Sequence, residues 1–316
     1  MQIHWYPGHM AKARRMLQEN LKLIDVVAEL LDARAPAATR NPDFEALFAG
    51  KARVVLLNKS DLADPDATRA WVEHFQAQGL TAGAVASTSN AGKKQAAALI
   101  ERAAGDGAML LVLPELCLTG YTCGDLFLQD ALQDAARGAL GLVLRATRGR
   151  ELLVAVGLPL RVGHSLYNCA AVLCGGRVLG VVPKTYLPNY GEFYEKRLFA
   201  PAPDAVTEVE LLDQRVPFGS RLLFCCEQMP SLTLGVELCE DLWAPEPPST
   251  ALALHGATVI ANLSASDEAV LKPEQRRRLV QVQSARLNCG YLFCSAGEGE
   301  STTDVVFSGH DMIFEN

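Results

Sequence analysis

Apolar positions recur at helical spacing from Ala11 to Leu31, closing in LIDVVAELLDAR, and predict an amphipathic helix. The next apolar run, in ARVVLLNKSDL, reads as a buried strand over Arg53–Leu57 that opens into a polar turn at Asn58-Lys59-Ser60-Asp61. TRAWVEHFQAQG has the period of a helix, and AGAVAST after it reads as a short strand at Ala82–Ser87. Alternating elements of this kind predict a parallel α/β sheet. SNAGKK at 89–94 reads as the polar loop that follows.

From about Gln95 the pattern changes. QAAALIERAAGDGA predicts a helix, MLLVLPELCLTGY a strand running into a polar loop, and LLVAVGLPLRV a further strand. In AAVLCGGRVLGVV two apolar runs meet at Gly175-Gly176, the signature of a hairpin with a two-residue turn. SLTLGVELCEDLW, GATVIANLSAS and CGYLFCSAG are strand-to-loop units, with the helical EQRRRLVQVQSARL between the last two. Strand ends of α/β sheets are where sites are built.

Composition narrows the class. A chain of 316 residues is long enough for two domains, and 49% apolar with 21% charged residues is the balance of a soluble globular protein. Its apolar runs are of strand length, so no membrane contact is expected. MQIHWYPGHMAKARR lacks the apolar centre of a secretory signal. Nine cysteines without zinc-like spacing fit a reducing compartment, and a cytoplasmic location is expected. The six histidines form no HxH or HExxH pair, so no metal site is expected. Charge is uneven: residues 1–104 hold 13 Lys and Arg against 11 Asp and Glu, leaving 16 against 25 for the rest. The acidic remainder is a poor nucleic-acid surface.

The sharpest chemistry lies in GVELCEDLWAP, where Cys239 sits among Glu237, Glu240 and Asp241. Acidic neighbours disfavour a thiolate, so a reactive thiol there needs help from elsewhere. Two other strand ends can supply it: Glu115 closes LLVLPE, and Lys184 follows the hairpin in VVPKTYLPNYGEF. A carboxylate can take the thiol proton and a lysine can hold a developing oxyanion. Read singly, each is equally a turn cap, a solvated strand end and a core thiol.

Two resemblances weigh on these readings. HWYPGHMAKARR, then DAR at 32–34, then NKSDL after a strand, resemble the start of circularly permuted ribosome-biogenesis GTPases. That resemblance covers residues 1–95 and implies guanine contacts from Asn58, Lys59 and Asp61. No GxxxxGKS loop follows residue 61, so GTP hydrolysis is not expected and GTP binding would be weak. PELCLTGYTCGDLF, PKTYLPNYGEFYEKRLF, GVELCEDLWAP, ANLSAS and AGEGESTTDVVFSGHDMI, in that order, resemble the glutaminase domain of glutamine-dependent NAD synthetase, a nitrilase-superfamily domain. This covers residues 96–316. It implies Glu115 as general base, Lys184 as transition-state stabiliser, Cys239 as nucleophile and Glu192 as the glutamate that orients the lysine. Tyr121, Tyr190, Glu240 and Ser266 then hold glutamine, and the Glu240 amide is a candidate oxyanion donor.

Together the resemblances imply an α/β chain with a nitrilase-like α-β-β-α sandwich preceded by a partial GTPase-like segment. The implied reaction is glutamine hydrolysis through a thioester and needs no cofactor. ATP and deamido-NAD would belong to a synthetase domain expected beyond Asn316. A homo-oligomer is expected. The alternative is a ribosome-assembly module that meets ribosomal RNA through residues 1–15, using Lys12, Arg14 and Arg15; an inert scaffold is a third reading. The strand at Ala82–Ser87 is expected to lie beside Met109–Leu113, replacing an opening strand that the second segment lacks. Arg276-Arg277-Arg278 reads as a solvated helix face, and Cys117, Cys123, Cys225 and Cys226 as packing.

Overall fold

The computed structural model describes residues 26–41, 47–60, 63–84, 91–297, 300 and 305–315, with backbone alone at 26 and 91–95. The chain divides into two compact units, residues 1–89 and 90–316.

In the first unit, β1 (Val26–Asp32), β2 (Ala52–Asn58) and β3 (Thr81–Ala84) form a parallel sheet in that order. Helix α1 (Pro65–Ala77) starts at Asp64, whose carboxylate accepts the Ala67 N–H. It packs Phe75 on Leu31, Val55 and Leu57. Residues 26–32, expected to continue a helix, are a strand. Glu29 and Leu31 are buried while Leu30 is 61% exposed, an alternation of period two. Pairing with β2 along all seven residues overrides the helical propensity of VVAELLD. Residues 1–25, including the basic start, lie outside the described residues.

The second unit stacks two sheets between helices. Helix α2 (Ala91–Gly105) begins earlier than its apolar run predicts, absorbing Ala91–Lys94 of the expected loop. It leads to the edge strand β4 (Leu110–Val112), and α3 (Asp130–Ala146) precedes β5 (Leu153–Val162), β6 (Ser165–Cys174) and β7 (Arg177–Pro183). With β8 (Thr207–Leu211) and β9 (Gln214–Phe218) they form a six-stranded sheet in the order β4-β5-β6-β7-β9-β8. The β6–β7 hairpin turns at Gly175 and Gly176, with φ of 58° and 82°, as its sequence predicts.

The second sheet, in chain order, holds β10 (Leu223–Cys225), β11 (Thr233–Leu238), β12 (Val259–Ser264), β13 (Gly290–Ser295) and β14 (Met312–Phe314). Its central strands β11, β12 and β13 run parallel. Ala155, Val172 and Val182 of one sheet meet Leu234, Val236, Leu238, Ala261 and Leu263 of the other in a core between the sheets. Ile100, Leu140 and Val143 of α2 and α3 cover the outside of the first sheet. The short α4 (Glu240–Trp243), α5 (Pro248–Leu254) and α6 (Lys272–Leu287) cover the second through Leu242, Leu252 and Val280. The result is an α-β-β-α sandwich.

The strand expected at Ala82–Ser87 is described only as far as Ala84. β3 ends at Ala84 and pairs with β2 in the three-stranded sheet, while β4 pairs with β5. Among the described residues β4 is an edge, and Val85–Ser87 fall outside them.

Candidate active site

Glu115 follows β4 in a segment that crosses directly over β5. A Cβ on Gly157 would lie 2.3 Å from the Leu116 nitrogen and 2.5 Å from the Pro114 carbonyl, so only glycine lets the two backbones meet. Leu116 turns with φ of 52°. The crossing buries Glu115 completely. Its Oε1 accepts from Asn168 Nδ2 and Lys184 Nζ, each at 2.7 Å, and its Oε2 accepts the Ala265 N–H at 2.9 Å.

Lys184 leaves β7 with its own N–H on the Asn168 carbonyl at 2.8 Å. Its ammonium is fully buried between two carboxylates, Glu115 and Glu195, both at 2.7 Å. Burial opposes that charge, but the two glutamates hold Lys184 protonated, above its ordinary value. The second glutamate is therefore Glu195 rather than Glu192. Both lie in GEFYEKRLF, but Glu192 is exposed, and the 3₁₀ turn Glu195–Arg197 carries Glu195 inward. Glu195 Oε1 also accepts from the Tyr121 hydroxyl at 2.7 Å. Burial pushes Glu195 up to about 7, against the pull of Lys184.

Cys239 ends β11 at a sharp elbow, with φ of 39° and ψ of −96°. That is costly for a residue with a side chain, and the surroundings must impose it. The Cys239 N–H is held by the Leu263 carbonyl at 3.0 Å and by Asn262 Oδ1 at 3.1 Å. Behind it, Asn262 Nδ2 donates to the Tyr291 hydroxyl, which donates to Glu237. Glu237 thus faces away from the thiol into a buried polar chain. Burial pushes the thiol up, and Glu115 adds to this, while Lys184 and the Ala265 N–H pull it down. Glu115 and Lys184 thus pair directly, and both charges act on the Cys239 thiol.

Tyr190 is 59% exposed and its hydroxyl donates to both Glu240 oxygens, at 2.9 and 3.0 Å. Ser266 is buried, and its hydroxyl accepts from Arg276 Nε at 3.2 Å. Tyr121 points inward to Glu195 rather than toward the mouth. An open cavity of about 590 Å³ is lined by Thr185, Tyr186, Lys196, Glu240 and Trp243 among others. Lys272, at the start of α6, sits over the Phe193 and Trp243 rings at 5.6 and 5.8 Å and pairs with Asp267.

Sequence reasoning passed over several of these groups. Arg276, expected on a solvated face, is fully buried. It holds the loop before α6 through Ser266, the Asp267 carbonyl at 2.8 Å and Glu268 at 3.0 Å. Arg277 and Arg278 are exposed, as expected. Asn168 carried one signal, a carboxamide in the middle of the apolar strand SLYNCAAVLC. Lys272 and Glu195 carried none that separates them from surface charges.

In the first unit, Asn58 Oδ1 accepts the Lys59 N–H at 2.8 Å, and Lys59 Nζ pairs with Asp32 at 2.9 Å. Lys59 is thus drawn onto Asp32 of DAR. Asp61 lies outside the described residues. Among the described residues no helix is long and apolar enough to cross a membrane, and no three His, Cys, Asp or Glu side chains cluster at metal-binding distance.

Comparison with known proteins bears on the fold and the family. The carbon-nitrogen hydrolase family profile matches residues 75–315. A glutamine-dependent NAD(+) synthetase of Mycobacterium bovis is 47% identical over 211 residues, 67% of this chain and 31% of its own length. A crystal structure of a glutamine-dependent NAD(+) synthetase from Cytophaga hutchinsonii superposes with a TM-score of 0.58 at 33% identity, covering 65% of this chain and 33% of that one. This chain therefore spans about a third of those relatives. An amidase from Nesterenkonia shares the fold, with a TM-score of 0.54 at 21% identity over 70% of this chain and 75% of its own. Over 95 residues, 30% of this chain, a ribosome biogenesis GTPase A of Priestia megaterium is 50% identical, a match to 33% of that protein.

Proposed function

Because this chain belongs to the carbon-nitrogen hydrolase family, we propose that it hydrolyses the side-chain amide of glutamine through a thioester on Cys239. The observation that carries the reading is the buried Lys184 held at 2.7 Å by Glu115, with both charges acting on the Cys239 thiol. Glu115 takes the thiol proton as the sulfur attacks the amide carbon. The oxyanion that forms is met by Lys184 Nζ and by the Glu240 N–H, which opens α4 where amides have no helical acceptor. Glu115 then passes the proton to the nitrogen, the C–N bond breaks and ammonia leaves. Water, activated by the same carboxylate, cleaves the thioester to glutamate and restores the thiol.

Glu195 holds Lys184 from the far side, and Tyr121 orients Glu195. A free amino acid carries two charges beyond its amide, and the mouth offers a partner for each: Glu240 for the ammonium and Lys272 for the carboxylate. Tyr190 must release Glu240 for that contact. The ammonia would serve an amidation, as the names of the longer relatives suggest, with ATP and deamido-NAD used by a part of the protein outside these residues. We place the protein in the cytoplasm, with residues 1–95 as a separate segment that does not hydrolyse GTP.

The test is ammonia release from glutamine by the purified chain beside Cys239→Ala. Release that disappears in the variant, at an unchanged thermal midpoint, supports the proposal. A folded parent chain that releases no ammonia overturns it.

A further inference from the structure

Asp241, two residues past the nucleophile, is 1% exposed. Its Oδ2 accepts the Leu238 N–H at 3.0 Å, and its Oδ1 accepts the N–H groups of Thr185 at 3.0 Å and Tyr186 at 2.8 Å. Leu238 is the last residue of β11 in the five-stranded sheet. Thr185 and Tyr186 are the first residues past Lys184, where the chain leaves the six-stranded sheet. One carboxylate thus spans the two sheets at their active-site end.

The two sides it joins are not alike. Lys184 is fixed by its own strand, with its N–H on the Asn168 carbonyl and its carbonyl accepting from Ala202 N–H at 2.9 Å. Cys239 instead sits in a left-handed conformation, φ 39°, that a cysteine adopts only when held there. Asn262 and Leu263 hold it on the β12 side. On the other side the Cys239 carbonyl accepts from the Leu242 N–H at 3.1 Å, at the start of α4, and the preceding residue is held by the Leu238 N–H on Asp241. Both Asp241 oxygens face N–H donors, which favours the carboxylate, although burial and then Glu237 push the group up to about 8. Three amides from two sheets converging on one buried carboxyl group make a stiff brace.

We infer that Asp241 is a positioning residue that hangs the Cys239 elbow on the Lys184 loop and so sets the sulfur's distance from the ammonium. It touches neither substrate nor the reacting atoms. The inference rests on the glutaminase reading only for its kinetic arm. Asp241→Asn keeps the volume and one acceptor oxygen, and Asp241→Ala removes both. A displacement of the order of 1 Å at a reacting group costs about 100-fold.

Three readouts decide it, all well below the thermal midpoints. In Asp241→Asn, kcat for glutamine should fall about 10- to 100-fold with KM within about twofold, and Asp241→Ala should fall further. The rate of iodoacetamide alkylation at Cys239, read by peptide mass spectrometry, should change in the same graded order. Alkylation needs no glutamine, so it tests the brace even if the parent chain releases no ammonia. Hydrogen exchange in the parent chain needs no variant: the amides of Leu238, Thr185 and Tyr186 should show matching protection. Folded variants with parental kcat and alkylation rate, a change in KM alone, or fast exchange at Thr185 and Tyr186 beside a protected Leu238 would each overturn it.

Discussion

Lys59–Asp32 and Lys184–Glu115 are lysine–carboxylate pairs of nearly the same length in two different settings. Lys59 meets Asp32 at 2.9 Å with its side chain 42% exposed, and Lys184 meets Glu115 at 2.7 Å with neither side chain exposed at all. Distance therefore does not tell a surface pair from a buried one. What differs is how much fold surrounds them. Among the described residues the first unit packs α1 on a sheet of three strands. The second closes two sheets face to face and covers both outer faces, so its strand ends meet where water is excluded. There the same Coulomb attraction is worth several times more, and so is an unpaired charge.

The strongest way to break this contrast is to remove Lys184. Lys184→Ala leaves Glu115 and Glu195 facing one another in the interior without a cation. Breaking a buried pair in this way costs about 3–5 kcal/mol. Urea unfolding at pH 8 should show a loss of that size, together with the disappearance of ammonia release. A loss under about 1 kcal/mol would mean that water reaches the cluster and that the two pairs are alike after all.

What was legible in the sequence follows the same division. Glu115, Lys184 and Cys239 could be picked out because each follows a strongly apolar strand, and hydrophobic pattern is a local signal. The β8–β9 hairpin could not, because its two turn residues are Leu212 and Asp213, with φ of 51° and 60°. A turn of that kind is announced by glycine or asparagine, as at Gly175-Gly176, and here the pairing of TEVEL with QRVPF imposes it. The strand β1 was read as the end of a helix because VVAELLD has apolar residues at both spacings; its partner β2 decides. Glu192 and Glu195 differ by burial alone, which a 3₁₀ turn sets and no composition reveals. Arg276 is one of three consecutive arginines, and only the helix phase turns it inward. Asp241 acts between the two sheets and Asn168 across β5 within one, so their partners lie 55 and 53 residues away in the chain.

A finer probe of the buried pair is its second carboxylate. Glu195 is raised in the folded chain to about 7 from an ordinary value of 4.5, with burial the largest cause. The folded state therefore binds more protons than the unfolded one between those two values. This part of the stability is fully present below about pH 4.5 and is lost as pH rises through 7. Glu195→Gln has no proton to lose. Its stability relative to the parent chain should rise by about 1–3 kcal/mol between pH 5 and 8 and then level off, as read by urea unfolding across that range. A difference that stays flat with pH would mean that Glu195 is already ionised at pH 5, and that Lys184 outweighs burial.

The smallest effect is expected at the exposed pair. Arg34 is the larger cause holding Asp32 below the usual carboxylate range, and Lys59 the next. Arg34 donates to both Asp32 oxygens, at 2.9 and 2.7 Å, so Lys59→Ala leaves the carboxylate paired. A half-exposed pair of this kind contributes up to about 1 kcal/mol, and salt screens it. Lys59→Ala should therefore cost less than about 1 kcal/mol in 20 mM salt and still less in 0.5 M. A cost above about 2 kcal/mol that persists in high salt would place Lys59 in a water-poor setting in solution. The turn at Asn58-Lys59 would then be covered, and the two lysines would differ in chemistry rather than in exposure.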